Sequence, residues 1–362
     1  MNRFRTSLPL MVLFMAIASN ALASNTWYVN GVNGSDTNNC LAAQTACKTI
    51  GHAISLASSG DSVIVAAATY TENLTIGINL TLLGSGDTTT IIDGRGVAIT
   101  ISSTTAHVNL SKLKIQNGAA LCGDGVYNVG TLAISSTVIS GNHTATRYPL
   151  AGGGGGICNH GATTISNSTI SGNEAGGTIE RFVQGGGVLN SGTLTINSST
   201  ISGNSLHLGA GGGIANNGKM TINDSTISGN NGFLRGGGIY STDTTATTSI
   251  NNSTIASNTT NFSTHGQPGG VDVLYGTLTI QSSIVASNSG ANCSGALSSK
   301  GYNLSSDGSC SFNHTGDLNN HDPLLGPLQT TADQQKQWHC SKEAQRLMRA
   351  TRVAALTARV TY

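Results

Sequence analysis

Apolar residues alternate with polar residues in short runs along most of this chain, as in LTI at 74–76 and STI at 168–170. A period of two places successive side chains on opposite faces of a strand, whereas an amphipathic helix needs a period of about 3.6. The runs are separated by Gly, Ser, Thr and Asn, which favour turns and weaken helices. The pattern therefore predicts many short β-strands.

Six related units follow one another between Gly123 and Asn288, and they begin 25 to 32 residues apart. In each unit a branched residue after a glycine run is followed 8 to 11 residues later by a second core residue, and 5 residues after that by a third. The return to the next unit takes 12 to 18 residues. Two connections of nearly constant length and one variable connection predict coils of three strands with one free loop. Such coils stack as an all-β parallel β-helix, about 4.8 Å apart.

The branched residues at equivalent positions are expected to form three internal columns. These columns are Val126, Ile157, Val188, Ile214, Ile239 and Val271; Ile134, Ile165, Ile196, Ile222, Ile250 and Ile280; and Ile139, Ile170, Ile201, Ile227, Ile255 and Val285. A fourth column is predicted from the Asn that ends each unit, because Asn tolerates a left-handed φ at a turn and its amide can bond to the Asn of the next coil. Its members are Asn142, Asn173, Asn204, Asn230, Asn258 and Asn288.

The N-terminal region predicts export and a cap. Residues 1–23 have a basic start, an apolar run and a small-residue end at Ala21-Leu22-Ala23, as in a secretory signal peptide. Thr49 to Ala57 has apolar residues at helical spacing and is expected to form a short capping helix. The chain is accordingly divided into a signal peptide (1–23), a cap with irregular coils (24–118), regular repeats (119–310), a C-terminal extension (311–329) and an atypical tail (330–362).

Composition and charge limit the kinds of partner that the protein is expected to bind. The formal net charge is +1 and only 9% of residues are charged, so no nucleic-acid partner is expected. No transmembrane segment is expected in the mature chain. Because export permits disulfides, Cys40–Cys47 and Cys293–Cys310 are predicted, and a Cys122–Cys158 bridge is left open. Neither a cofactor nor a metal site is predicted.

Several motifs resemble one family. The opening WYVNGVNGSDTNNC, the GGGI and STISGN coils, and NCSGALSSKGYNLSSDGSC followed by NHDPLLGPLQ are similar to right-handed parallel β-helix proteins of the choice-of-anchor Q family, in the pectin-lyase-like superfamily. The resemblance covers about residues 25 to 329. It implies a right-handed coil and an origin at a bacterial surface or outside the cell.

The tail departs from this family at Thr330. In the family, DPLLGPLQ is followed by a sequence like NNGGPTxTMALLxGSPAIDAG, whereas residues 329–362 contain no glycine and hold 6 of the 17 Lys and Arg residues. Reverse translation of Thr330 to Ala350 with a shift of one base gives codons compatible with the family sequence. We therefore hypothesise that the residues from about 330 onward are a frameshift product. The alternative is a functional basic helix at 341–360.

Carboxylates are sparse where an enzyme would need them. A glycoside hydrolase requires two carboxyl groups at a defined separation, and a lyase of this shape requires acids around a cation with a basic residue nearby. The position after the branched residue, expected to face outward, supplies only one acid, Asp272. Asp224 and Asp243 are interpreted as solvated or turn residues, Asp93 with Arg95 as an ordinary turn, and His160 and His265 lack acidic partners in the sequence.

The variable loops are the stronger candidates for recognition. They span 143–151, 174–184, 205–210, 231–235 and 259–268, and they leave the same side of successive coils. Their aromatic and cationic residues suit a glycan or protein partner, unless they only shield the edge of the coil. The predicted ligand-binding residues are Arg147, Tyr148, Arg181, Phe182, Phe233, Arg235, Phe262 and His265.

Two functions follow from the sequence. The first is a secreted or cell-surface, non-enzymatic β-helix that acts in adhesion or display by binding an extracellular polysaccharide or a surface protein through the loop-bearing face. The alternative is a polysaccharide lyase or glycoside hydrolase of the pectate-lyase-like superfamily. Two carboxylates beside an Arg or Lys on one face would favour the enzyme.

Overall fold

The computed structural model describes residues 24–143, 153–176, 183–261 and 266–326, together with the backbone of the short strands Gln329–Thr330 and Lys336–Gln337. The predicted signal peptide and nearly all of the atypical tail lie outside these residues, so those predictions stay open. None of the described helices is long and apolar enough to cross a membrane.

Each of the first five regular coils contains a three-residue strand, a five-residue strand and a second three-residue strand, and in the sixth the first two are joined as Pro268–Gln281. These strands pair in parallel with their equivalents in neighbouring coils. The first two strands of each coil belong to an eighteen-stranded sheet, and the third belongs to a ten-stranded sheet. The predicted parallel β-helix is therefore confirmed.

The strands of the two main sheets have the following bounds. The strands of the first sheet are Thr26–Val29, Asp61–Val65, Leu74–Ile76, Leu80–Leu83, Ile99–Ile101, His107–Ser111, Val126–Asn128, Thr131–Ser135, Ile157–Asn159, Ala162–Ser166, Val188–Asn190, Thr193–Asn197, Ile214–Asn216, Lys219–Asn223, Ile239–Ser241, Thr247–Asn251, Pro268–Gln281 and Ala291–Ser299. Those of the second sheet are Ala68–Tyr70, Thr90–Asp93, Lys114–Gln116, Val138–Ser140, Thr169–Ser171, Thr200–Ser202, Thr226–Ser228, Thr254–Ala256, Ile284–Ala286 and Leu304–Ser305.

The three predicted apolar columns are confirmed by the strand register. Their members are direct partners in successive coils and are almost completely buried. Between them, the polar side chains of the strands point outward, as in the burial pattern of Thr193–Asn197. Alternation along each strand thus becomes an apolar interior that runs the length of the stack.

The terminal Asn residues of the repeats form the predicted hydrogen-bonded ladder. Each Nδ2 group donates to the Oδ1 atom of the Asn in the next coil at 2.8–3.0 Å. The same oxygen accepts the backbone N–H of the preceding Asn at 2.9–3.1 Å. A second Nδ2 hydrogen reaches an isoleucine carbonyl of the preceding coil. The buried amides are therefore fully used.

The expected left-handed backbone lies one residue earlier than the Asn. Positive φ values of 55° to 67° belong to the residues that precede the ladder: Gly141, Gly172, Gly203, Gly229, Ser257 and Ser287. Because the Asn itself keeps a negative φ, its side chain points inward and reaches both neighbouring coils. The prediction that Asn adopts the left-handed conformation was wrong, and glycine carries it instead in most coils.

A second buried Asn ladder was not predicted. Asn128, Asn159, Asn190 and Asn216 end the first strand of successive coils and are joined by Nδ2-to-Oδ1 bonds of 2.7–2.9 Å. At another turn, Ser hydroxyls accept a backbone N–H of the preceding coil at 3.1–3.2 Å. All three turns of a coil therefore carry polar side chains that bind the next coil.

The predicted capping helix is confirmed as Ile50–Leu56, with Thr49 as its N-cap. The Thr49 hydroxyl accepts the His52 N–H at 3.2 Å, and the Glu72 carboxylate accepts the N–H groups of Ile50 and Gly51 at 2.9 and 2.8 Å. Ile50 and Ala53 are fully buried. The helix covers the apolar end of the first coils, and its otherwise unpaired N–H groups are satisfied by side chains.

Three disulfides are formed. Cys40–Cys47 and Cys293–Cys310 are the predicted pairs, and Cys122–Cys158, left open by the sequence, joins two successive coils. Such bonds fit an oxidising, extracellular environment.

Asp61 ties the first strand to the second. Its carboxylate accepts hydrogen bonds from the Asn25 N–H at 2.7 Å, the Trp27 indole at 2.9 Å and the Ser58 N–H at 2.8 Å. Burial alone would raise the pKa of Asp61, but the bonds from Ser58, Trp27 and Asn25 together lower it below its ordinary value. The ionised carboxylate is thus part of the N-terminal packing.

We expect Asn204→Ala to lower the free energy of unfolding by about 2–3 kcal/mol, because it removes the oxygen that accepts the buried backbone N–H and Nδ2 groups of Asn173, and one of the two donors to Oδ1 of Asn230. Urea titration followed by circular dichroism measures the change. Asn223→Ala is the matched control, since Asn223 bonds to Asn197 and Asn251 in a ladder that is only partly buried. Equal losses in the two variants would contradict the role of the buried ladder.

We expect Asp61→Asn to lower stability by about 1–2 kcal/mol at pH 7, where the wild-type carboxylate is ionised. Because the pKa of Asp61 is lowered in the folded protein, its contribution is lost as the pH falls through that lowered value. The urea midpoints of Asp61→Asn and of the wild type should therefore differ at pH 7 and converge at low pH. Asp224→Asn, at an exposed turn, should leave the midpoint unchanged at both pH values. A gap between Asp61→Asn and the wild type that does not depend on pH would contradict this account.

Candidate functional site on the loop-bearing side

The return segments of the coils define one side of the stack, which we call the loop-bearing side. It comprises the residues between a strand of the second sheet and the first strand of the following coil. The sequence predicts free loops here, but four of them begin with short parallel strands: Glu174–Ala175, Ser205–Leu206, Asn231–Gly232 and Thr259–Thr260. These four return segments therefore begin with paired backbone, and they differ in length only after these short strands.

The four short strands form a four-stranded sheet, and a small apolar cluster lies beneath it. Ala175, Val183 and Leu206 are at most 5% exposed and contact one another. Since strands alternate their faces, the buried Ala175 and Leu206 leave Glu174, Ser205 and His207 facing outward. His143 pairs with Glu174 through an isolated parallel bridge, so its side chain joins the same outward row.

Three of these outward side chains form a His–Glu–His cluster. Nδ1 of His143 lies 3.1 Å from Oε2 of Glu174, and Nε2 of His207 contacts Oε1 of the same carboxylate. The two imidazole rings are 6.5 Å apart and nearly perpendicular. The side chains of His143, Glu174 and His207 are 52%, 30% and 60% exposed, so a ligand can reach all of them.

The cluster has the arrangement of an oriented acid–base group. A carboxylate that accepts an imidazole N–H fixes the tautomer of the ring and leaves its other nitrogen as a proton acceptor. Glu174 does this for both rings, so the acceptor atoms of the neutral imidazoles are Nε2 of His143 and Nδ1 of His207. The same groups can also bind the hydroxyls of a polar ligand.

Arg235 forms the second feature of the loop-bearing side. Its Nε and Nη2 atoms donate to the two carboxylate oxygens of Asp272 at 2.6 and 3.2 Å. Asp272 is completely buried, whereas the Arg235 side chain is 30% exposed. Burial raises the pKa of Asp272 above its ordinary value, although the charge and hydrogen bonds of Arg235 oppose the rise. In the strand register Asp272 is the partner of Tyr240.

The column that follows the branched residues is covered rather than exposed. Its predicted register, Tyr127, Cys158, Leu189, Ala215, Tyr240 and Asp272, is confirmed. However, its members are buried or half-buried, because the glycine runs cross over them. A Cβ atom at Gly211 would lie 2.9 Å from the Cβ of Ala215, and one at Gly236 would lie 2.9 Å from the Cβ of Tyr240. The glycines are needed for this close approach, and the expectation of an outward-facing column was wrong.

Most of the predicted ligand-binding residues lie outside the described residues: Arg147, Tyr148, Arg181, Phe182, Phe262 and His265. Phe233 and Arg235 are described, and both are half-buried at the foot of their return segment. Their role in recognition stays a prediction. The His–Glu–His cluster was missed, although His207 lies in a loop that the sequence singles out.

A polar recess lies at the N-terminal end of the same side. It has a volume of about 110 Å³ and is lined by Thr71, Glu72, Asn73, Asp93 and Arg95. Two carboxylates beside an arginine meet the condition that favours an enzyme. However, both oxygens of Glu72 are used by the capping helix, and Oδ1 of Asp93 accepts from Asn117 at 2.7 Å. The recess therefore has a structural explanation for each carboxylate.

Neither a family model nor a curated protein sequence matches the chain. Among solved structures, a pectin methylesterase from carrot is similar, with 11% identity, a TM-score of 0.44, and coverage of 78% of this chain and 89% of that one. Pectate lyase Pel9A has 14% identity, a TM-score of 0.40, and coverage of 78% and 69%. Pectin methylesterase PemA from Erwinia chrysanthemi has 13% identity, a TM-score of 0.40, and coverage of 90% and 87%. With scores this low, the fold of the present chain rests on its own strand register.

We expect Arg235→Ala to destabilise the protein by about 3 kcal/mol at pH 7, because Asp272 is left buried without a cation. The loss should shrink at acidic pH, since Asp272 has a raised pKa and is protonated there. Urea unfolding of Arg235→Ala and of the double variant Arg235→Ala/Asp272→Asn measures the effect. The double variant should recover most of the stability. A wild-type midpoint for Arg235→Ala at pH 7 would contradict the role of the pair.

Proposed function

We propose that the protein is an exported, non-enzymatic β-helix that binds an extracellular polysaccharide along its loop-bearing side, in adhesion or surface display. The observation that carries this proposal is the row formed by His143, Glu174 and His207. These residues come from three successive coils and are exposed side by side. Their hydrogen-bonding groups follow the axis of the stack.

A linear polymer suits this arrangement better than a compact ligand. Coils repeat about every 4.8 Å, which is comparable with the length of one sugar residue in an extended chain. The described part of this side offers carboxylate, imidazole, amide and hydroxyl groups, which bind sugar hydroxyls. Arg147, Tyr148, Arg181 and Phe182 lie outside the described residues. In the sequence they belong to the same return segments as His143 and Glu174, and their part in binding stays a prediction.

The coils supply a rigid support for such binding. A site that is fixed by buried ladders loses little conformational entropy when it binds a ligand. The short strands at the feet of the return segments hold Glu174 and Ser205 in register, whatever the length of the loop that follows. Three disulfides support the proposed location outside the cell.

A second candidate function is acid–base catalysis on a polysaccharide, as in a lyase or glycoside hydrolase. The specific observation in its favour is that Glu174 orients two imidazoles. In such a reaction the free nitrogen of His143 or His207 would accept a proton from the substrate or from water, and Glu174 would stabilise the imidazolium. The recess at Glu72 favours it less, since the carboxylates there have structural partners.

A glycan array and a polysaccharide-degradation screen on the full chain test both candidates. We expect binding to at least one polysaccharide without release of unsaturated or reducing ends. His143→Ala/Glu174→Ala/His207→Ala should weaken that binding at least about tenfold, equivalent to about 1.4 kcal/mol. Thr195→Ala/Thr221→Ala, on the outer face of the five-residue strands, is the matched control and should bind normally.

The outcomes separate the candidates. Release of sugar ends that is lost in Glu174→Gln would establish the catalytic function and overturn the non-enzymatic one. Binding that survives in the triple variant, or that is lost in the threonine control, would contradict the assignment of the loop-bearing side.

A further inference from the structure

The three disulfides differ in their access to solvent. Cys40 and Cys47 are both fully buried, and Cys293 and Cys310 are 3% and 5% exposed. In the third bond Cys158 is fully buried, but Cys122 is half-buried, which makes it the least buried of the six bonded cysteines. This bond spans 36 residues and links two coils, whereas the other two close shorter segments of 7 and 17 residues.

A histidine lies directly beside the buried sulfur. Nε2 of His160 is 3.4 Å from Sγ of Cys158, and His160 itself is exposed. The Tyr127 ring packs against the imidazole with centroids 5.6 Å apart. Tyr127 is also the strand partner of Cys158. The imidazole is therefore held against the sulfur and can exchange protons with solvent.

We propose that Cys122–Cys158 is a thiol–disulfide exchange site, in which His160 stabilises the departing Cys158 thiolate. The co-reactant is an external dithiol. Its first thiol gives its proton to His160, and the thiolate attacks Sγ of Cys122. A new sulfur–sulfur bond forms to Cys122, the Cys122–Cys158 bond breaks, and its electron pair remains on Cys158 beside the imidazolium.

The second thiol of the co-reactant completes the reaction. It attacks the mixed disulfide and releases Cys122, so the co-reactant leaves as a disulfide and the protein gains two electrons and two protons. Exchange is faster when the leaving thiol has a low pKa, and a neighbouring imidazolium lowers the pKa of a thiol. The fully buried Cys158 is in this way the better leaving group, and the half-buried Cys122 is the sulfur that is attacked.

A second disulfide of the protein also lies near a histidine. Cys40, Cys47 and His52 also bring two sulfurs and an imidazole within 4.8 Å of one another. Both cysteines are sealed, however, so no thiol can reach either sulfur. Both sites therefore have a histidine near the disulfide, and the half-buried Cys122 distinguishes the proposed one.

Reduction of the Cys122–Cys158 bond would remove the covalent link between two coils but leave the coils stacked. Cys122 lies at the foot of the return segment between residues 143 and 153, where it pairs with Gly153. Val126–Asn128 and Ile157–Asn159 remain paired through their backbones and the buried Asn128–Asn159 bond. The change is therefore confined to the loop-bearing side.

The test uses the native full chain with limiting dithiothreitol, rapid alkylation and mass spectrometry of the cysteine peptides. We expect Cys122 and Cys158 to be alkylated at least about tenfold faster than Cys40 and Cys47. His160→Gln should slow this reduction, because the departing Cys158 thiolate loses the imidazole that lies 3.4 Å from its sulfur. His52→Gln is the matched control and should change no rate.

Two results would overturn the proposal. One is equal reduction of the three disulfides in the folded protein. The other is a wild-type rate of reduction for His160→Gln. Circular dichroism of Cys122→Ser/Cys158→Ser shows whether the stack persists without the bond; loss of its β signal would overturn the confined opening.

Discussion

Register between coils is the constraint on which this protein depends. Backbone pairing, stacked isoleucines and two buried Asn ladders fix the same three strands at the same height in every coil. A buried amide that lost its partner would cost about 1–3 kcal/mol, so a strand cannot shift by one residue without disturbing two neighbouring coils. The stack therefore tolerates insertions where no ladder runs. These places are the return segments beyond their short anchoring strands, and the longer turn after Ser241, where the second Asn ladder has ended.

This constraint also explains where the chemistry is found. The strands contribute Thr, Ser and Asn at their outward positions, whereas His143, Glu174, His207 and Arg235 belong to the return segments. The Cys122–Cys158 disulfide, with the exposed His160 beside it, lies at the edge of the same side. Since these segments leave successive coils at a constant spacing, residues distant in sequence meet in a row. Glu174 contacts histidines from the coil before it and from the coil after it.

Much of the fold is predictable from the sequence because spacing inside the repeat is nearly constant. Aligned copies place Ile165 beside Ile196 and Asn173 beside Asn204, as observed. The left-handed turn was assigned to Asn rather than to Gly172, because both residues favour it and only the backbone distinguishes them. The ladder from Asn128 to Asn216 was missed, although its residues repeat at the same position in four copies.

The candidate site is less predictable, for a physical reason. His143 and Glu174 directly follow the ladder Asn of their coils, whereas His207 lies three residues after Asn204, so an alignment of the copies does not pair His207 with the other two. The alternation that turns Ser205 and His207 outward depends on a short strand that the sequence does not signal. Similarly, the contact of Arg235 with Asp272 joins a return segment to a strand of the next coil. Contacts of this kind follow from the path of the loop rather than from the repeat.

The central claim is that a rigid stack binds its ligand on one side, the loop-bearing side. Hydrogen–deuterium exchange measured with and without a bound polysaccharide tests this claim most directly. The account predicts that the ligand slows exchange in the return segments, above all at 143, 174–176 and 205–210. The five-residue strands Thr193–Asn197 and Lys219–Asn223 should keep their exchange rates. Protection that follows those strands and leaves the return segments unchanged would contradict the account.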